Sequence, residues 1–196
     1  MKAVHIRPGV HEDVPALQEI ERAAASRFPA GSLPVTVACS TVSDADFHAG
    51  AGDSTLWVAE LPGPNAVGFL LARPEGTCLH IVEMDVFPTA SGLGVGTALL
   101  NEACTAGEER GFVHVTLTTF EHIQWNAPFY SRRGFSIVPD PRAFPHLAAA
   151  LAHEAEVGLV QRVAMAKKCG PTLCPTRTPR RWRPRAVRSA PVGLVR

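Results

Sequence analysis

The chain has 196 residues, 46% hydrophobic and 19% charged, which suits one globular domain with a sizeable core and excludes a charge-dominated disordered chain. No apolar run approaches the ~20 residues a membrane helix needs. Met1 to Arg7 lacks the apolar core of a secretion signal, and the five unevenly spaced cysteines suggest neither a disulfide framework nor a metal knuckle, so a reducing cytoplasm is the expected setting. The net charge of +1 hides a division: all 18 acidic residues precede residue 169, while residues 169–196 hold seven arginines and no acid.

Val4 to Arg7 alternates like a short strand, closed by Pro8-Gly9. From His11 to Phe28, Val14, Leu17, Ile20 and Ala24 recur at the helical period, and Glu12 and Asp13 lie in the first turn, where the helix dipole favours acids. Gly31 to Cys39 reads as a loop with some strand character. Ser43 can cap a short second helix running through Phe47. Ser54 to Leu61 and Ala66 to Arg73 are strands of a hairpin that turns at Pro62-Gly63-Pro64-Asn65. Leu79 to Val86 is an apolar strand that Pro88 ends, because proline has no N–H for a ladder. Gly92, Gly94 and Gly96 then alternate into the apolar helical face of Thr97-Ala98-Leu99-Leu100, and that helix, 92–110, stops at Gly111. Phe112 to Thr119, rich in β-branched residues, is expected to be the one parallel neighbour of the 79–86 strand. A helix over 125–133, a strand over 134–138, a helix over 147–159 and a strand over 163–166 complete the folded part. Beyond Lys168 the density of proline and arginine predicts a disordered tail, whose charge suggests only non-specific attraction to nucleic acid.

The chemistry concentrates around the glycines. A glycine turn that runs into a helix gathers backbone N–H groups in one concavity, and the helix start adds orphan donors and the positive end of its dipole. Such a device holds a phosphate or pyrophosphate. The third glycine comes one position too early for the dinucleotide-binding fingerprint. Val86-Phe87-Pro88, then Ser91-Gly92-Leu93-Gly94-Val95-Gly96, then Tyr130-Ser131-Arg132-Arg133-Gly134-Phe135 are instead similar, in order and spacing, to the GNAT N-acetyltransferase superfamily. That family shows V-x-P, Q/R-x-x-G-x-G/A and Y-x-x-x-GF, and the resemblance runs over residues 3–167. Two positions depart from it. Ser91 stands where the family usually has Gln or Arg, and Asn126 lies four residues before the tyrosine rather than the usual seven.

The resemblance implies an α/β fold over residues 1–168: a twisted, mostly antiparallel sheet of about seven strands with helices on both faces. It implies an acetyl-CoA-dependent N-acetyltransferase that moves an acetyl group directly to a primary amine of a small molecule or peptide. Acetyl-CoA would be the co-substrate, with no metal, and the protein would work as a monomer or homodimer away from membranes. The pyrophosphate would lie on Ser91, Gly92, Leu93, Gly94, Val95, Gly96 and Thr97. Pantetheine would pair with the strand end Met84, Asp85 and Val86, and Asn126 is placed on the cofactor side. Tyr130, the only tyrosine, falls where the family keeps its general acid. Glu83 is the first choice for the base that deprotonates the amine and His80 the second; three residues apart on a regular strand, they would face opposite sides. Asp85 would share the side of Glu83. Two other readings stay open: a non-catalytic acyl-CoA sensor, and a nucleotide-dependent oxidoreductase. The helices before Ser54 would wall the acceptor site, but the acceptor itself is not legible there.

Overall fold

The computed structural model describes residues 3–63 and 65–170. Most of the arginine-rich tail therefore lies outside the described residues. The first strand, β1 (His5–Pro8), leads through a short 3-10 turn at His11–Asp13 into α1 (Val14–Ala25). Arg7 fastens this opening, donating from Nη1 to Asp13 at 2.7 Å and from Nε to Glu60 at 2.7 Å. The segment expected to have strand character instead contains a one-turn helix, α2 (Val35–Ala38). Pro34 caps it and accepts from the Ala38 amide at 2.9 Å, and Val37 buries against Phe120, Ile123 and Leu159 rather than joining a ladder. Next comes α3 (Asp44–Gly52), capped by Ser43, which accepts from the Asp46 amide.

The strands β2 (Leu56–Glu60), β3 (Ala66–Glu75) and β4 (Cys78–Val86) form an antiparallel meander. Then follow α4 (Val95–Glu109), β5 (His114–Phe120), α5 (Ala127–Ser131), β6 (Ser136–Ile137), α6 (Pro145–Glu156) and β7 (Arg162–Lys168). The helix begins at Val95 rather than at residue 92, because Gly92 (φ 77°) and Gly94 (φ 88°) are left-handed and cannot belong to it. The seven strands form one sheet in the order β1-β2-β3-β4-β5-β7-β6. Only β4 and β5 are parallel, as expected from the sequence, and their pairing covers just Cys78↔His114, Leu79↔Val115 and His80↔Thr116. Beyond these pairs β4 stays with β3 while β5 stays with β7.

Two apolar layers flank the sheet. Leu70, Ala72, Leu79, Ile81 and Met84 pack beneath α4, whereas Phe69, Leu71 and Val82 pack beneath α1 and α3. Those memberships reveal a phase change in β4. Leu71 pairs with Glu83 while Ala72 pairs with Ile81, so Val82 is an extra residue, a β-bulge. Arg73, which pairs with His80, shares the face of Leu71. His80 and Glu83 consequently lie on one face, the α1 face, and the expectation of opposite faces is overturned by the bulge.

The far end of the sheet is held by a buried ion pair. Arg162 donates from Nε and Nη2 to Glu154 of α6, each at 2.9 Å, and Nη2 also reaches the Thr118 carbonyl of β5 at 3.1 Å. The two side chains are 3% and 1% exposed. Removing one partner of such a pair leaves a buried guanidinium without its carboxylate. Glu154→Ala is therefore expected to lower the unfolding free energy by about 3–5 kcal/mol, measured as the urea midpoint at constant slope.

Candidate active site

The turn that follows β4 opens a groove of about 380 Å³ at the C-terminal end of that strand. One wall is Met84, Asp85 and Val86; the floor is Ser91, Gly92, Gly94, Val95, Gly96 and Thr97. Across from them stand Phe129, Arg132 and Arg133 of the α5 region, with Arg27, Phe28, Gln124 and Trp125 closing one side. All but two of the residues expected at the cofactor thus meet here. Leu93 is exposed and outside the lining, and Asn126 is fully buried, donating from Nδ2 to Thr119 at 2.7 Å. The Asn126 Oδ1 has no hydrogen-bond partner among the described residues.

The floor is a donor array. The Ser91 amide bonds to Pro88, the Leu93 amide lies 3.4 Å from Ala90, and the Ala98 amide closes the first turn of α4 onto Gly94. The amides of Gly92, Gly94, Val95, Gly96 and Thr97 have no carbonyl partner among the described residues. A Cβ built on Gly92 or Gly94 would meet no atom within 4 Å. The concavity is open on that side, and its donors sit at the positive end of a fifteen-residue helix. The residues present therefore fit a diphosphate: amide donors, a helix terminus and a glycine backbone that lets an oxyanion approach.

Behind the groove lie the acid and base candidates. Glu21, Glu83 and Asp85 are all buried, and each offers a carboxylate oxygen within 4.8 Å of the others, the one such group of potential metal ligands among the described residues. Glu21 accepts from the Val42 amide with both oxygens, at 2.9 and 3.2 Å. It escaped the sequence reading, yet a signal existed: position 21 continues the apolar stripe of Leu17, Ile20 and Ala24. Tyr130 is 1% exposed, held edge-on between Phe129 (5.1 Å) and Phe135 (5.8 Å). Burial first, and then the charges of Glu83 and Asp85, hold its phenol well above the usual tyrosine range.

His80, the alternative base, is committed elsewhere. Its Nδ1 lies 3.2 Å from Thr116 Oγ1, which in turn lies 2.9 Å from His146 Nε2. Burial and the neighbouring His146 push the His80 imidazole well below its ordinary value, so it remains neutral. Arg132 and Arg133 also escaped the sequence reading; what marked them was two consecutive cations inside the Y-x-x-x-GF stretch.

This combination of a splayed parallel strand pair, a glycine donor loop and a tyrosine from a short helix defines an acyltransferase of the GNAT class, and the comparisons agree. Residues 17–135 match the Acetyltransferase (GNAT) family, and the chain belongs to that family. Among solved structures it is similar to the PaiA N-acetyltransferase of Thermoplasma acidophilum in complex with coenzyme A. The two share 17% identity and a TM-score of 0.66, over 85% of this chain and 99% of that one. The ribosomal-protein-S18-alanine N-acetyltransferase of Escherichia coli matches at 17% identity and a TM-score of 0.60, over 90% and 99%. N-acetylglutamate synthase of Neisseria gonorrhoeae, complexed with coenzyme A and N-acetyl-glutamate, matches at 16% identity and a TM-score of 0.65, over 87% of this chain and 36% of its own. These likenesses establish the mixed seven-stranded fold. No described helix is long and apolar enough to cross a membrane.

The chain has one tyrosine, so its ionisation has an unambiguous spectroscopic signature. In a pH titration of the folded protein, tyrosinate absorbance is expected to be absent through the ordinary phenol range near pH ~10 and to appear only on denaturation.

Proposed function

We propose that the protein transfers the acetyl group of acetyl-CoA directly to a primary amine of a small molecule or peptide. The observation that carries the reading is the set of amides of Gly92, Gly94, Val95, Gly96 and Thr97 without a carbonyl partner among the described residues, opening onto the cleft where β4 and β5 part. The diphosphate would rest on those amides. The pantetheine arm would run along Met84, Asp85 and Val86, where β4 has no strand on its β5 side and can accept an added strand.

Bound there, the thioester supplies an electrophilic acetyl carbon with sulfur as its leaving group. Glu83, directly or through a water, takes a proton from the acceptor ammonium. The amine nitrogen then bonds to the acetyl carbon as the carbon–sulfur bond breaks, Tyr130 gives its proton to the departing sulfur, and the second proton of the nitrogen, lost as the amide forms, returns to the Tyr130 phenolate directly or through water. The charge on Glu83 is one cause of the tight hold on the phenol proton, after burial. A proton arriving at Glu83 removes that one charge, while burial and Asp85 still favour the protonated phenol. His80, neutral and bonded to Thr116, serves the sheet rather than the amine in this scheme.

Thiol release from acetyl-CoA over a panel of amines tests the reading. Tyr130→Phe is expected to lower kcat by roughly 10²- to 10⁴-fold while leaving the Kd for acetyl-CoA within about twofold, since the hydroxyl acts on the sulfur and not on binding. Wild-type protein that binds acetyl-CoA tightly and turns over with no amine would overturn catalysis in favour of a sensor.

A further inference from the structure

The cationic side chains that line the groove come from the α5 region and from Arg27, which follows α1, and not from the loop that opens α4. The loop offers the neutral side chain of Ser91 and bare backbone. Opposite it, Arg132 and Arg133 line the groove, and neither pairs with a carboxylate among the described residues.

Arg133 is much the more firmly held of the two. Its Nε and Nη2 donate to Thr97 Oγ1 at 3.1 and 2.6 Å, and its Nη1 donates to the Phe129 carbonyl at 2.8 Å. The guanidinium carbon lies 3.6 Å from the centre of the Phe129 ring. Thr97 belongs to the first turn of α4, whose free amides form the floor, so this bond fixes the cation against the donor array itself. A guanidinium carries five N–H donors. With three engaged, one N–H remains on each terminal nitrogen to donate to an oxyanion. Burial and the adjacent Arg132 both disfavour the charge on Arg133. An anion arriving in the groove would relieve that penalty.

We infer that Arg133 is the charged contact for the diphosphate of the bound acyl carrier, reaching it from the α5 side and supplying what Ser91 does not. The inference rests on the coenzyme A reading above. A side chain clamped by Thr97 and Phe129 arrives preorganised, so little rotamer freedom is lost on binding.

Calorimetric titration of the full chain with coenzyme A, dephospho-coenzyme A and pantetheine tests it. Arg133→Met keeps the length and the contact with Phe129 but removes charge and donors. It is expected to weaken coenzyme A and dephospho-coenzyme A alike by roughly 10- to 100-fold, and to leave pantetheine unchanged. Arg133→Lys should recover part of the loss, and adding Ser91→Arg to Arg133→Met should recover more, because each returns a cation to the mouth. A purely structural staple would weaken all three ligands together, and that result overturns the inference. Unchanged coenzyme A binding overturns it too. A loss confined to coenzyme A would overturn the diphosphate assignment, moving the contact to the 3′-phosphate. Wild-type protein that binds none of the three would bring down the cofactor reading and this inference with it, whereas each other adverse outcome leaves the cofactor reading standing.

Discussion

Past His80 and Thr116, β4 and β5 no longer share hydrogen bonds, and the site depends on that parting. A sheet that stayed paired would bring backbone against backbone where the proposed pantetheine arm would lie. Both strands remain anchored on their outer sides, β4 by β3 and β5 by β7, so the cleft does not collapse. The glycine loop and the start of α4 follow directly from the end of β4, so their amides face the same opening. On the opposite side the short helix α5 follows β5 and brings Tyr130, Phe129 and Arg133 across the gap. Two chain segments that diverge at one point therefore deliver every group assigned to the chemistry.

The electrostatics follow a gradient along the cleft. Its mouth is lined with N–H dipoles and arginines, while its buried end holds three carboxylates within reach of one another. In the proposed reaction an anionic carrier would enter at the first, and a cationic amine would be stabilised near the second. The buried tyrosine lies between the two regimes. Burial alone disfavours its ionised form, and the nearby carboxylate charges act in the same direction. In the proposed scheme the phenol therefore meets the departing sulfur in its protonated form.

Much of this was legible before any coordinates. The helical period of Val14, Leu17, Ile20 and Ala24, the proline that ends β4 and the alternating glycines each state a local rule, and local rules survive folding. The extent of α4 was misread because glycine has no side chain to declare its dihedrals, and only the left-handed φ of Gly92 and Gly94 moves the start to Val95. The turn at Val35–Ala38 was misread because valines favour strands only where a neighbouring strand is available, and here Val37 finds Phe120 and Leu159 instead. Glu21 and Arg133 act through partners far away in the chain, Val42 and Thr97, and such pairings leave little trace in a linear reading.

The single inserted residue at Val82 has a wider consequence. Upstream of it even-numbered positions of β4 look toward α1, and downstream odd-numbered ones do, so a hydrophobicity ruler laid along the strand loses phase where the chemistry begins. A chain with one residue trimmed from this segment would have the same composition on either side. It would nevertheless drive Glu83 and Asp85 into the oily layer under α4 and turn Met84 out toward Glu21. The bulge acts as a reading-frame marker for the cleft, and drift among related sequences should tolerate changes of residue there far better than changes of length.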